Sequence, residues 1–371
     1  MISVYDPWIG EEEADAVRQA VLRGEISGTF GTTIPLFEEQ FAKEIGCRHG
    51  IAVTSGTTAL HLALAACHFS PGDEILLSAS TNIATALAIV HNSLVPVPID
   101  SEPASWNLNP DLIDDLVTAK TRAIMPVHLF GRPAPMDKIS AAAERHNLKI
   151  IEDCAESHGA TWQGKRTGAW GDLGCFSFYA NKILTTGEGG MILTDDDALA
   201  EELRLLRNLA FKQPRFQHDK VGFNFRMTGY QAAMGLVQLS RFHEILEKKR
   251  RIADWYHQSL QGFPGITLPE DCQEGRHVYW VYGVLLDPGL NREPIMTWLR
   301  QSGVETRAFF YPMNLQPCLQ KIPGFRFLPC PVAEGLGERG FYLPSGPNLS
   351  ESQVINISHM LRKAVQIFAD A

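Results

Sequence analysis

The run Lys149-Ile150-Ile151-Glu152-Asp153 ends a short apolar stretch on carboxylates. About thirty residues after Asp153, the run Phe176-Ser177-Phe178-Tyr179-Ala180-Asn181-Lys182-Ile183-Leu184-Thr185-Thr186-Gly187-Glu188-Gly189-Gly190 sets a lysine in a turn rich in Ser, Thr and Gly. The first run reads as a buried strand with an acid at its carboxyl end. Together the two suit pyridoxal 5′-phosphate (PLP): an amine can form a Schiff base with its aldehyde, and a carboxylate can keep its pyridine nitrogen protonated so that the ring accepts electrons. Lys182 and Asp153 are the candidates for these roles. Taken alone, a strand-end Asp serves as readily as a turn or helix cap.

Outward from these runs, β-rich segments alternate with helical patterns over residues 50–195. The strand candidates are Ile51–Thr54, Glu74–Leu77, Val95–Ile99, Ala123–Val127, Lys149–Glu152, Cys175–Phe178 and Met191–Thr194, with helical stretches such as Thr58–Cys67 and Ile83–His91 between them. This alternation predicts an α/β fold with a mainly parallel seven-stranded sheet covered on both faces. Ligands of such sheets bind beyond the carboxyl ends of the strands. Residues 196–208 and 229–260 read as long helices. After Gly262-Phe263-Pro264-Gly265 the pattern becomes strand (Val278–Leu286), helix (Pro294–Ser302), strand (Val304–Arg307), a Pro-rich stretch (312–347) and a last helix from Ser350. The expected division is a large cofactor-binding domain over 1–240 and a smaller C-terminal α/β domain over 241–371, with the first 25 residues packing against the smaller one.

The chain has 371 residues, 45% of them hydrophobic and 20% charged, which is ordinary for a globular enzyme and leaves disorder aside. A formal net charge of −9 argues against nucleic-acid binding, because neutralising phosphates needs a basic face. No stretch of eighteen uninterrupted apolar residues is present, and Met1-Ile2-Ser3-Val4-Tyr5-Asp6-Pro7 lacks the pattern of a signal peptide, so no membrane association and a cytoplasmic location are expected. Seven scattered cysteines without a C-x-x-C pair suggest neither a disulfide framework nor a zinc site; no metal is expected.

Ser55-Gly56-Thr57-Thr58-Ala59-Leu60 lies between a strand and a helix. Free backbone N–H groups at a helix N-terminus make a phosphate seat, and glycine permits close approach, although Ser and Thr there would also serve as caps. Glu156 follows Asp153 closely enough to reach the same ligand. His128 and His158 fit either a site wall or a structural position.

The ordered set Ser55–Leu64, Pro71-Gly72-Asp73-Glu74, Ile151–Glu156, Gly171-Asp172, Phe176-Ser177-Phe178, Asn181-Lys182, Thr186–Gly190 and Gly222-Phe223-Asn224-Phe225-Arg226-Met227 resembles the PLP-dependent sugar aminotransferases of the DegT/DnrJ/EryC1/StrS family, over nearly the whole chain. The resemblance implies the fold type I, aspartate aminotransferase-like architecture. It also implies that Lys182 carries the Schiff base, Asp153 pairs with the pyridine nitrogen and Glu156 stands beside the cofactor. Gly56, Thr57 and Ser177 would hold the phosphate, with Asn224 reaching in from the second subunit of a homodimer. Two positions depart from the family pattern. Asn82 replaces the aromatic residue that usually stacks on the ring, and Tyr311-Pro312-Met313-Asn314 replaces a His-Pro-x-His segment near the sugar. His128, Asn181, Arg226, Tyr311 and Asn314 are the substrate-side candidates.

The implied reaction moves an amino group from L-glutamate to a nucleotide-linked keto sugar. Within the family the likeness is greatest to the branch acting on GDP-4-keto-6-deoxy-mannose; another 3- or 4-keto sugar nucleotide or a keto sugar acid is the alternative. A sugar dehydratase of this fold would carry histidine in place of Lys182, and a non-catalytic PLP-binding regulatory relative would have lost Lys182 or Asp153. A nicotinamide-dependent dehydrogenase would need a G-x-G-x-x-G turn, which Ser55-Gly56-Thr57-Thr58 does not supply.

Overall fold

The computed structural model describes residues 1–214 and 216–369. Seven strands form the main sheet: β1 (His49–Val53), β2 (Glu74–Ser78), β3 (Val95–Ile99), β4 (Thr121–Met125), β5 (Lys149–Asp153), β6 (Leu173–Ser177) and β7 (Gly190–Thr194), in the spatial order β3-β2-β4-β5-β6-β7-β1. All run parallel except β7, which pairs antiparallel with both β6 and β1. The pleat explains why these strands are apolar throughout. Ile51, Val53, Ile75 and Leu77 enter one core layer, while Ala52 and Leu76 enter layers on the opposite face. Helices Gly56–Ala66 and Asp197–Arg207 cover the first face, and helices Thr33–Ile45 and Met136–His146 pack on the other.

A second, antiparallel sheet follows, made of β8 (Ile266–Thr267), β9 (Tyr282–Leu286), β10 (Arg307–Ala308) and β11 (Gly340–Leu343) in the order β8-β9-β11-β10. Its core joins Tyr282 and Val284 to helices Arg292–Gln301 and Glu351–Ala369. Helix Phe242–Leu260 links the layers: Phe242, Ile245 and Leu246 pack with Phe41 and Phe176, whereas Ile252, Tyr256 and Leu260 pack with Tyr282. Near the N-terminus, Ile2 and Val4 bond to the backbone of Gly303 and Ser345, while helix Glu11–Leu22 lies along helix Gly229–Ser240.

Two elements differ from the sequence reading. The helix expected over 229–260 is two helices, Gly229–Ser240 and Phe242–Leu260, divided at Arg241. There the amide bonds Gln238 three residues back, and the guanidinium pairs with buried Glu13. The strand expected from Val278 begins only at Tyr282, because Tyr279 adopts a left-handed φ of 49° and its amide bonds Nδ1 of His277. That turn sends Trp280 into the cavity described below. None of the described helices is long and apolar enough to cross a membrane.

Candidate active site

Because β1, β5 and β6 run the same way, their carboxyl ends meet on one edge of the sheet, and a cavity of about 300 Å³ opens there. Asp153 closes β5 and is buried. Thr85 Oγ1 donates to its Oδ2 at 2.8 Å and the Ala155 amide to its Oδ1 at 3.1 Å. Burial pushes the Asp153 carboxyl above its usual range, against these hydrogen bonds and the nearby Lys182. A cationic ring nitrogen placed against Asp153 would return it to the charged form.

Lys182 enters from the turn after β6. Burial lowers its ammonium, against the pull of Glu156 and Asp153. Glu156 is itself buried and raised to about 7, chiefly by desolvation, although the Phe130 amide donates to its Oε2 at 2.8 Å. The cavity therefore holds an amine weakened as a cation beside two carboxyls weakened as anions. Such groups are suited to exchange protons with one another and with a bound ligand.

On the opposite wall, helix Gly56–Ala66 begins at its cap Ser55, whose hydroxyl accepts from the Thr58 amide. Gly56 and Thr57 precede the first helical hydrogen bond, so their N–H groups suit an anion. A Cβ on Gly56 would lie 2.6 Å from Ser177 Cβ, which shows how closely the helix start approaches the end of β6. A phosphate seat, a lysine and a strand-end carboxylate surround one cavity, and this donor set fits PLP: Gly56, Thr57 and Ser177 can hold the phosphate, Asp153 the ring nitrogen and Lys182 the aldehyde carbon.

The other candidates divide. Asn82 lines the cavity, with its side chain capping helix Ile83–His91 through the Ala84 amide, and Asn181 lines it too. His128 is placed elsewhere. Its Nδ1 accepts from the Ala134 amide, so its Nε2 carries the proton and donates to Glu152 at 3.0 Å. Glu152 also accepts from Gly168, Trp170 and Gly171, which makes this a saturated structural network on the face opposite Asp153. Asn314 is likewise occupied, donating to Glu334 and to the Leu328 carbonyl. Tyr311 is exposed, and Arg226 bonds Asn208. These four do not line this chain's cavity, and exposed Asn224 does not either. His158 lies among the rings of Phe41, Phe176 and Phe178, and burial lowers it to about 3, so it is neutral.

Three participants escaped the sequence reading: Thr85 on Asp153, the Phe130 amide on Glu156, and Trp280, whose ring lies 3.7 Å from Lys182 Nζ. Arg307 and Tyr342 of the second sheet complete the wall.

A sheet of this order with such a lysine and carboxylate at its edge is the architecture of the PLP-dependent enzymes of fold type I. The chain belongs to the DegT/DnrJ/EryC1/StrS aminotransferase family, which it matches over residues 7–362. It is 42% identical over 357 residues to the GDP-perosamine synthase of Caulobacter vibrioides, covering 95% of each chain. To the GDP-perosamine synthase of Escherichia coli O157:H7 it is 36% identical over 363 residues, covering 98% of each. Among solved structures, S. venezuelae DesV superposes with a TM-score of 0.89 at 33% identity, covering 96% of this chain and 94% of that one. The protein is a PLP-dependent sugar aminotransferase.

Proposed function

We propose that the protein moves the amino group of L-glutamate to C4 of GDP-4-keto-6-deoxy-mannose, yielding GDP-perosamine for polysaccharide assembly, as a cytoplasmic homodimer. The observation that carries this reading is the 42% identity over 95% of both chains to a relative named GDP-perosamine synthase. The cavity supplies the chemistry it needs.

Bound PLP supplies an aldehyde carbon to carry the amino group and a ring to accept the electron pair released at the substrate carbon. Lys182 holds that aldehyde carbon at rest. Once freed by the incoming amino donor, its Nζ would move a proton from the donor Cα to the carbon it had held, and in the second half-reaction would move one from that carbon to the sugar carbon. A buried amine suits both steps, because desolvation makes it basic only to the degree that it can release the proton again. Asp153 holds the ring nitrogen as a cation, and Thr85 and the Ala155 amide fix the carboxylate for this role. Gly56, Thr57 and Ser177 bind the phosphate from one chain. Asn224, exposed and not among the residues lining its own chain's cavity, reaches the phosphate of the partner subunit.

Assay of amino transfer from glutamate against a panel of GDP-, dTDP- and UDP-linked keto sugars tests the reading. GDP-4-keto-6-deoxy-mannose should give the highest kcat/KM. Preference for a UDP- or dTDP-linked 3-keto sugar would overturn the substrate while leaving the enzyme class intact.

A further inference from the structure

None of these roles uses Trp280, yet it makes the nearest ring contact to the reactive amine. Its ring centroid lies 3.7 Å from Lys182 Nζ, and its Nε1–H donates to the Asn181 carbonyl at 2.6 Å. The Lys182 carbonyl accepts the Tyr5 hydroxyl at 3.0 Å, so the lysine turn is held by two residues remote from it in sequence. Trp280 reaches this place only because Tyr279 turns left-handed ahead of β9. Trp280 is 3% exposed and Lys182 is half-buried, both on the wall of the same cavity.

We propose that Trp280 is a positioning residue for the proton shuttle: its N–H pins the Asn181–Lys182 backbone, and its ring face holds the freed Nζ and steadies that amine's charged form between taking up a proton and delivering it. The inference rests on the shuttle role of Lys182. The reason for a ring is chemical. Burial disfavours the ammonium, and the two carboxyls that favour it, Asp153 and Glu156, have other contacts to keep. A further anion would trap the proton, whereas the negative face of an indole attracts the cation without accepting a proton from it. Other charged or titratable groups around Lys182 are His158 behind the sheet, Tyr5 on the Lys182 carbonyl, and Tyr179, Glu188, Arg307 and Tyr342 on the cavity wall. His158 is neutral and adds no counter-charge.

The test replaces Trp280 by mono-, di- and trifluorotryptophan, which withdraws charge from the ring face at nearly constant volume. The full-length protein is loaded with pyridoxamine phosphate so that the Lys182 amine is free, and its acylation by an amine-reactive ester is followed against pH by peptide mass spectrometry. The midpoint should fall with each added fluorine, by about half to one and a half pH units over the series. A midpoint that stays constant across the series overturns the proposal. Trp280→Phe, which keeps a weaker ring face and loses the N–H, should lower the midpoint by no more than the fluorinated series does, while kcat falls several-fold with little change in KM. A Phe variant with wild-type kcat removes the backbone-pinning half of the proposal. Neither sugar nor amino donor enters the acylation measurement, so its outcome is separate from that of the substrate assay.

Discussion

Thr85 Oγ1 lies 2.8 Å from Asp153 Oδ2, joining the first turn of helix Ile83–His91 to the acid at the end of β5. The Thr81 hydroxyl in turn lies 2.9 Å from Thr85 Oγ1, so a short chain of hydroxyls orients the carboxylate. A carboxylate fixed by two donors keeps its geometry whether or not a ring nitrogen is bound, which is what preorganisation requires.

Thr85→Val keeps the shape and removes the donor. A hydrogen bond to a charged group contributes about 1.5–3 kcal/mol, so turnover should fall roughly 10- to 100-fold, with faster cofactor loss on dialysis. Steady-state kinetics and the absorbance of retained PLP check this. A wild-type rate would show that Asp153 needs no such support.

Gly56→Ala tests the phosphate seat. The new Cβ would stand 2.6 Å from Ser177 Cβ and 3.0 Å from its Oγ, so Ser177 or the helix start must shift. The expected outcome is PLP affinity weakened about 10-fold or more in an absorbance titration, on the scale of a lost charge-assisted hydrogen bond. Affinity within twofold of wild type would place the phosphate elsewhere.

Glu156 yields a pH prediction for the cofactor-free protein. Its folded-state value, about 7, lies above the ordinary 4.5 of a glutamate, so the folded chain binds this proton more tightly than the unfolded one. Below the lower value both states are protonated and no cost arises; as pH rises through the window to about 7 the cost grows, and it persists above. Glu156→Gln removes it. The variant's Tm relative to wild type should therefore climb by ~3 °C between pH 4.5 and 7.5 and then level off. A flat difference in calorimetric scans would mean that Lys182 compensates Glu156 fully.

Lys182→Ala and Asn224→Asp should each abolish or strongly depress turnover, the first by loss of the shuttle and the second by setting a negative charge against the phosphate. A mixed dimer of the two variants would contain one site with both lesions and one with neither, since the two residues enter a given site from different chains. Activity should return on mixing and re-assortment. Mixed dimers that form and stay inactive would show that Asn224 acts within its own chain or not at all.

Much of the site was legible because it is built from local patterns. Gly56 and Thr57 lie at a strand-to-helix turn, Asp153 at a strand end, and Lys182 in a Gly-rich turn, and each pattern carries its chemistry within a few residues. Alternation of apolar strands and helices likewise specified a covered parallel sheet, since strands buried on both faces must be apolar on both. What local pattern could not decide was direction and distance. His128 and Asp153 belong to adjacent strand ends, but the pleat turns Glu152 to the opposite face, where it claims His128. Thr85 is 68 residues from Asp153, and the sheet order alone brings them together. Trp280 reaches Lys182 because one residue, Tyr279, leaves the extended conformation that its apolar neighbours favour, a backbone choice made by the packing around it.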